Sequence, residues 1–175
     1  TSISFGTAVV FESATSYYNV ATFDSDSNKV VISYRDAGNS SYGTGIVGTV
    51  SGTAISFGTA VVFASGTTYN VAATFDSNSN KVVIGYKDTG NSNYGTGIVG
   101  TVNGTSISYG SPVVFESATT NYISATFDSD SNKVVVAYED GGNSNYGTAV
   151  VGTVSGTSIS WWTPVVFESA DVSNT

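Results

Sequence analysis

The 175-residue chain has no cysteine, no histidine and no methionine, only two prolines, and only 10% charged residues. Each absence excludes something. Without cysteine there are no disulfides and no thiolate metal sites. Without histidine the commonest general base and the commonest metal ligand are missing. The five basic residues make no phosphate-tracking patch, and the net charge of −8 disfavours nucleic acid and anionic membrane surfaces alike. No apolar run approaches the ~18 residues of a membrane-spanning helix. No signal peptide is evident, and a start at Thr1 without Met points to a processed product or a piece of a longer array.

What the chain does have is a repeat. Phe11, Phe63, Phe115 and Phe167 are successive copies of one position, 52 residues apart, and 39 of 52 positions are identical between residues 1–52 and 53–104. Three copies fit without insertion or deletion, and a remainder of 19 residues, from Thr157, restarts the pattern. A repeat of this length is one supersecondary unit that cannot bury its apolar surface alone and must stack on its neighbours. Hydrophobic residues make up 40% of the chain, enough for a core, while Ser, Thr, Asn and Gly supply the polar surface. That composition leans towards an extracellular setting, or a cell or virion surface.

Period-2 alternation and β-branched residues replace any helical pattern. In the third copy four strand-like runs are expected: Tyr122 to Phe127, Lys133 to Tyr138, Tyr146 to Val154, and Ile159 to Phe167. The second run is apolar on both faces, Val134, Val136 and Tyr138 on one and Val135 and Ala137 on the other. A sheet wet on one side would alternate apolar with polar, so these sheets read as sandwiched between copies of themselves. The first run, rich in Ala and Ser, suits a crowded axis, and the fourth suits the periphery.

The chain is all-β, and its four-stranded antiparallel repeats resemble β-propeller blades, in particular those of highly repetitive propellers with near-identical blades. The pattern Ile123-Ser-Ala-Thr-Phe-Asp128 followed by Val134-Val-Val-Ala-Tyr138 is similar to sialidase-type blades, without their Asp-box. The alternative architecture is stacked β-sandwich or solenoid units of a fibre. In the blade phasing, residues 1–14 are an extra outer strand, repeats occupy 15–66, 67–118 and 119–170, and 171–175 is a tail.

Three blades cannot close a ring. A flank exposing ~500 Å² of apolar surface would make its covering worth on the order of 12 kcal/mol at ~25 cal/mol/Å². Self-association into a homo-oligomer or homopolymer is the expected remedy, and two chains would make six blades. Residues 1–12 and 157–168 are two copies of one strand, four such strands for three blades, so one is free for donation to a neighbour. The last copy diverges most: Phe5, Phe57, Tyr109 and Trp161 share a position, and Gly6, Gly58 and Gly110 give way to Trp162. The Trp161-Trp162 pair is either an interface anchor or a cover for the last sheet.

Candidate sites come in triplicate. Asp24-x-Asp26-x-Asn28, Asp76-x-Asn78-x-Asn80 and Asp128-x-Asp130-x-Asn132 have the alternate-oxygen spacing of a calcium loop, but Lys29, Lys81 and Lys133 stand where such loops carry glycine. Tight turns capped by Asp and Asn are the preferred reading, so no cofactor is expected and Ca²⁺ is the one candidate. The loops beginning at Tyr34, Tyr86 and Tyr138 display Asp36, Asp88 and Asp140 with Tyr42, Tyr94 and Tyr146, a set suited to glycans by stacking plus hydrogen bonds. Ordinary turn chemistry explains the same residues. Arg35, Lys87 and Glu139 change sign at one position and are expected to be solvated. Asn39 and Asn103 open glycosylation sequons. Nearly every polar residue being repeated, no one-off catalytic constellation stands out, and no enzyme activity is expected. The reading is a secreted, structural or adhesive repeat protein that assembles into a ring or filament. Its alternative is a multivalent glycan-binding lectin gaining by avidity.

Overall fold

The computed structural model describes residues 2 and 5–172. Among them there is no α-helix, and thirteen antiparallel strands form one continuous sheet that does not close on itself. In chain order these are β1 (Ser16–Asp24), β2 (Lys29–Asp36), β3 (Tyr42–Ser51), β4 (Ala54–Phe57), β5 (Val61–Asp76), β6 (Lys81–Asp88) and β7 (Tyr94–Asn103). There follow β8 (Ser106–Tyr109), β9 (Val113–Asp128), β10 (Lys133–Asp140), β11 (Tyr146–Ser155), β12 (Ser158–Trp161) and β13 (Val165–Asp171).

The ladder divides into three four-stranded sheets because two strands each serve twice. The first half of β5 pairs with β3 up to Thr67, and from Thr68 its second half pairs with β6. Likewise β9 pairs with β7 up to Thr119 and with β10 from Thr120. The outer strand is broken rather than continuous: β4, β8 and β12 pair the far end of the third strand, and a three-residue gap precedes β5, β9 and β13. The single run expected from Ile159 to Phe167 is therefore two strands. Trp162 to Pro164 separate them, and Pro164 lacks the N–H that a ladder would use.

Each hairpin between the first and second strand is fixed by its aspartate. The Asp24 carboxylate accepts from the backbone N–H of Asp26 and Ser27, both at 3.0 Å, and Asp76 and Asp128 repeat the arrangement. Asn28, Asn80 and Asn132 close these turns at φ near 55°, the left-handed region that Asn tolerates better than most residues.

Two cores lie between the three sheets. The first joins Val31, Val47 and Phe63 of the first sheet to Val71, Val82, Ile84, Tyr86, Ile98 and Ile107 of the second. The second joins Val83, Val99 and Phe115 to Val134, Val136, Tyr138, Val150 and Ile159 of the third. Strand β6 feeds both, through Val82, Ile84 and Tyr86 on one face and Val83 on the other, as its doubly apolar pattern requires. The innermost strands β1, β5 and β9 lie side by side.

Candidate functional site

Two regions combine unusual geometry with accessible chemistry: the outer face of the third sheet, and a cleft where the innermost strands begin.

The face is best read through the repeated phenylalanine. Phe63 packs on Tyr86 and Tyr109, with ring centroids 5.3 and 5.7 Å away, and Phe115 packs on Tyr138 and Trp161 at 5.2 and 5.4 Å. Each thus docks onto the following sheet, and they are 7% and 6% exposed. Among the described residues no sheet follows Phe167, which is 64% exposed, and every residue of β13 is exposed. Trp162, also 64% exposed, and Val165 extend the patch.

At the opposite end the chain covers itself. Residues 5–14 form no strand, but they lie against the first sheet as a preceding outer strand would. Phe11 packs on Tyr34 and Phe57 with centroids 5.1 and 6.0 Å away, and the Tyr34 hydroxyl donates to Glu12 Oε2 at 3.3 Å. The same bond joins Tyr138 to Glu116 at 3.0 Å. Burial, then the neighbouring carboxylates, push the Tyr34 and Tyr138 hydroxyls well above the ordinary tyrosine range. Ala64, on the outer strand of the first sheet and facing Tyr86 of the second, stands where the other copies have Glu. A cavity of about 470 Å³ opens there beside Tyr86 and Asp88.

The cleft arises from a bulge that recurs in each innermost strand, between Tyr17 and Val20, between Tyr69 and Ala72, and opposite Ala137 and Glu139. It places Tyr18, Asn70 and Tyr122 at φ of 53°, 50° and 49°. Asn tolerates this conformation, but a bulky residue holds it at a cost of about 1 kcal/mol or more. Across each bulge one residue pair faces another strand: Tyr17 with Arg35, Tyr69 with Lys87, Asn121 with Glu139. These pairs interlock along the row. The Arg35 guanidinium lies over Tyr17 at 4.3 Å and over Tyr69 of the next sheet at 4.6 Å. Lys87 Nζ donates to Asn121 Oδ1 at 2.7 Å, and Asn121 Nδ2 donates to Glu139 Oε1 at 2.7 Å. Burial lowers the Lys87 pKa, against the attraction of Glu139, which raises it.

Glu139 is 3% exposed, and its Oε2 has no hydrogen-bond partner among the described residues. With Tyr18, Tyr69, Asn70, Lys87, Asn121 and Tyr122 it lines a cleft of about 460 Å³. The expectation that positions 35, 87 and 139 are solvated is thereby corrected. They form a buried to half-buried polar row joining the three sheets.

The residues expected to bind ligand lie elsewhere. Asp36 and Asp140 are buried, Asp88 is half-buried beside the cavity at Ala64, and each caps its own loop, accepting from Gly38, Gly142 and Gly90 N–H at 2.8, 2.9 and 2.9 Å respectively. Tyr42, Tyr94 and Tyr146 pair with those aspartates at the start of β3, β7 and β11, half-buried and outside the cleft. Among the calcium candidates, Asp24 is buried, and its second carboxylate oxygen accepts from Ser27 Oγ at 2.5 Å. Asp26, Asn28, Asp128, Asp130 and Asn132 are exposed. Hydrogen bonds from Ser131 and the turn backbone hold the Asp128 carboxyl below its usual range. Asn39 is exposed in a turn, and Asn103 is exposed at the end of β7. No family, curated protein or solved structure matches the chain.

Proposed function

We propose that the three sheets are successive blades of β-propeller type, and that the chain is a secreted, non-enzymatic structural or adhesive protein completed by association with further copies of itself. The propeller reading is supported by innermost strands lying side by side and by hydrophobic cores repeating between sheets. The observation that carries self-association is the contrast between Phe115, 6% exposed, and Phe167, 64% exposed, at equivalent positions. Together with Trp162 and Val165, Phe167 makes an apolar patch of the kind that marks interaction sites. The test is particle mass across a dilution series. A single-chain mass at every concentration up to hundreds of micromolar overturns the reading. Images of the assembled particles separate rings from stacked fibre units.

A second reading is favoured by a different observation. A buried carboxylate oxygen without a donor, in a cleft walled by tyrosines, is what a neutral oligosaccharide would satisfy, with one hydroxyl donating to Glu139 and a sugar face stacking on Tyr18 or Tyr122. A glycan array tests this. Saturable binding abolished by Tyr122→Ala and by Glu139→Gln supports it, and an empty array removes it.

A further inference from the structure

We infer that the cavity at Ala64 is a binding site for a small monocarboxylate, an acid group on a short hydrocarbon chain, which takes the place of a glutamate side chain that this copy lacks. The other copies show what such a group would meet. Glu12 bridges two donors, accepting from Ala14 N–H at 2.8 Å through Oε1 and from the Tyr34 hydroxyl at 3.3 Å through Oε2. Glu116 Oε2 accepts from the Tyr138 hydroxyl at 3.0 Å, and Glu168 Oε1 accepts from Ala170 N–H at 3.0 Å. Between the first and second sheets both side chains are cut back: Ala64 stands for Glu, and Gly66 stands where the other copies have Ala.

The donors remain in place. Tyr86 is 1% exposed, and its hydroxyl has no hydrogen-bond partner among the described residues, whereas those of Tyr34 and Tyr138 each have one. Burial keeps that hydroxyl protonated well above the ordinary tyrosine range, so it stays a donor. Gly66, whose N–H corresponds to that of Ala14, lines the cavity from the bulge between the pairs Gly43–Ala64 and Tyr42–Thr67. A short tail has room as well. The methyls of Ala14 and Ala118 lie 2.5 and 2.4 Å from where a Cβ on Gly38 and Gly142 would stand, but at Gly90 no methyl approaches and Gly66 Cα is 3.6 Å away. Phe63 and Pro112 add apolar wall. Asp88 does not bar an anion. Tyr34 feels the charge of both Glu12 and Asp36, and Tyr138 that of both Glu116 and Asp140, so each sister site already holds two carboxylates around one hydroxyl. Asp88 is also committed to Gly90 N–H.

Propionate is the probe, because it carries the atoms lost from Glu and one further methyl. The melting temperature of dilute protein is compared in sodium propionate, sodium chloride and the neutral isostere propionamide, each at about 100 mM. With a dissociation constant of about 10 mM, propionate is expected to raise the melting temperature by about 3–5 °C over chloride. Propionamide should give less than about a third of that, since it lacks the charge that strengthens the two hydrogen bonds. Tyr86→Phe removes one donor and Ala64→Glu fills the seat, and each is expected to abolish most of the rise. No rise in propionate, an equal rise in propionamide, or a rise that either substitution leaves intact would overturn the site.

Discussion

The four copies of one phenylalanine allow a single substitution to be read in four environments. Phe63→Ala and Phe115→Ala each empty a site bounded by two aromatic rings between packed sheets, and about 3–5 kcal/mol is expected for such truncations. Phe11 is only partly shielded and holds down a segment without ladder hydrogen bonds, so Phe11→Ala should cost about 2 kcal/mol. Phe167 is mostly in water in the single chain, and Phe167→Ala should change the stability of dilute protein by less than about 0.5 kcal/mol. Urea unfolding at low protein concentration measures the series. With a slope of about 2 kcal/mol/M, the two interior variants shift the midpoint by about 2 M and Phe167→Ala by almost nothing. At high concentration the ranking should change, because Phe167→Ala then loses whatever association adds. If Phe167→Ala were as costly as Phe115→Ala in dilute solution, the outer face would already be covered within one chain. If Phe11→Ala were silent, the N-terminal segment would not lie on the first sheet.

Ala64→Glu should place a carboxylate in the cavity beside Tyr86, restoring the partner that Tyr34 and Tyr138 have, and raise stability by about 1 kcal/mol in thermal melts; no gain would mean that repulsion from Asp88 wins. Gly110→Ala, by contrast, drives a Cβ into the Thr157 carbonyl and should cost about 3 kcal/mol, read by the same melts. Burial raises the pKa of Tyr34, Tyr86, Tyr109 and Tyr138, so the folded chain keeps these hydroxyls protonated where the unfolded chain ionises them. Their contribution is intact below pH about 10 and is lost as pH rises above it. A melting temperature that stays flat while tyrosinate absorbance develops would contradict this.

Much of the fold was legible because burial on both faces leaves a mark in the residues themselves. The runs Val82-Val-Ile84 and Val134-Val-Val136 admit no wet side, and the Asp-Ser-x-Ser-Asn turns carry their own capping chemistry. The shared strands were less legible. Residues 116–121 are Ser, Thr, Ala and Asn with one Glu and read as a connection, yet the backbone stays in a ladder throughout by exchanging one partner strand for another at Thr119 and Thr120. The polar row was misread for a related reason. A charge reversal at one position suggests solvent, whereas the informative signal was paired change: Tyr17 with Arg35, Tyr69 with Lys87 and Asn121 with Glu139 vary together across a register that only the bulge creates. A turn carboxylate and a binding carboxylate have the same spacing in a sequence, and only the backbone N–H groups located around Asp36, Asp88 and Asp140 show that they hold their own loops.

The double duty of β5 and β9 bears on how the molecule would carry load. A tether pulling on both ends would first peel away residues 5–14, which no ladder holds, and then β13, which is bonded along one edge only. Beyond that point the first and third sheets could come apart only by dragging a strand out of the middle one, so the central sheet yields last. An adhesive built this way would give up length at its margins while keeping its heart folded.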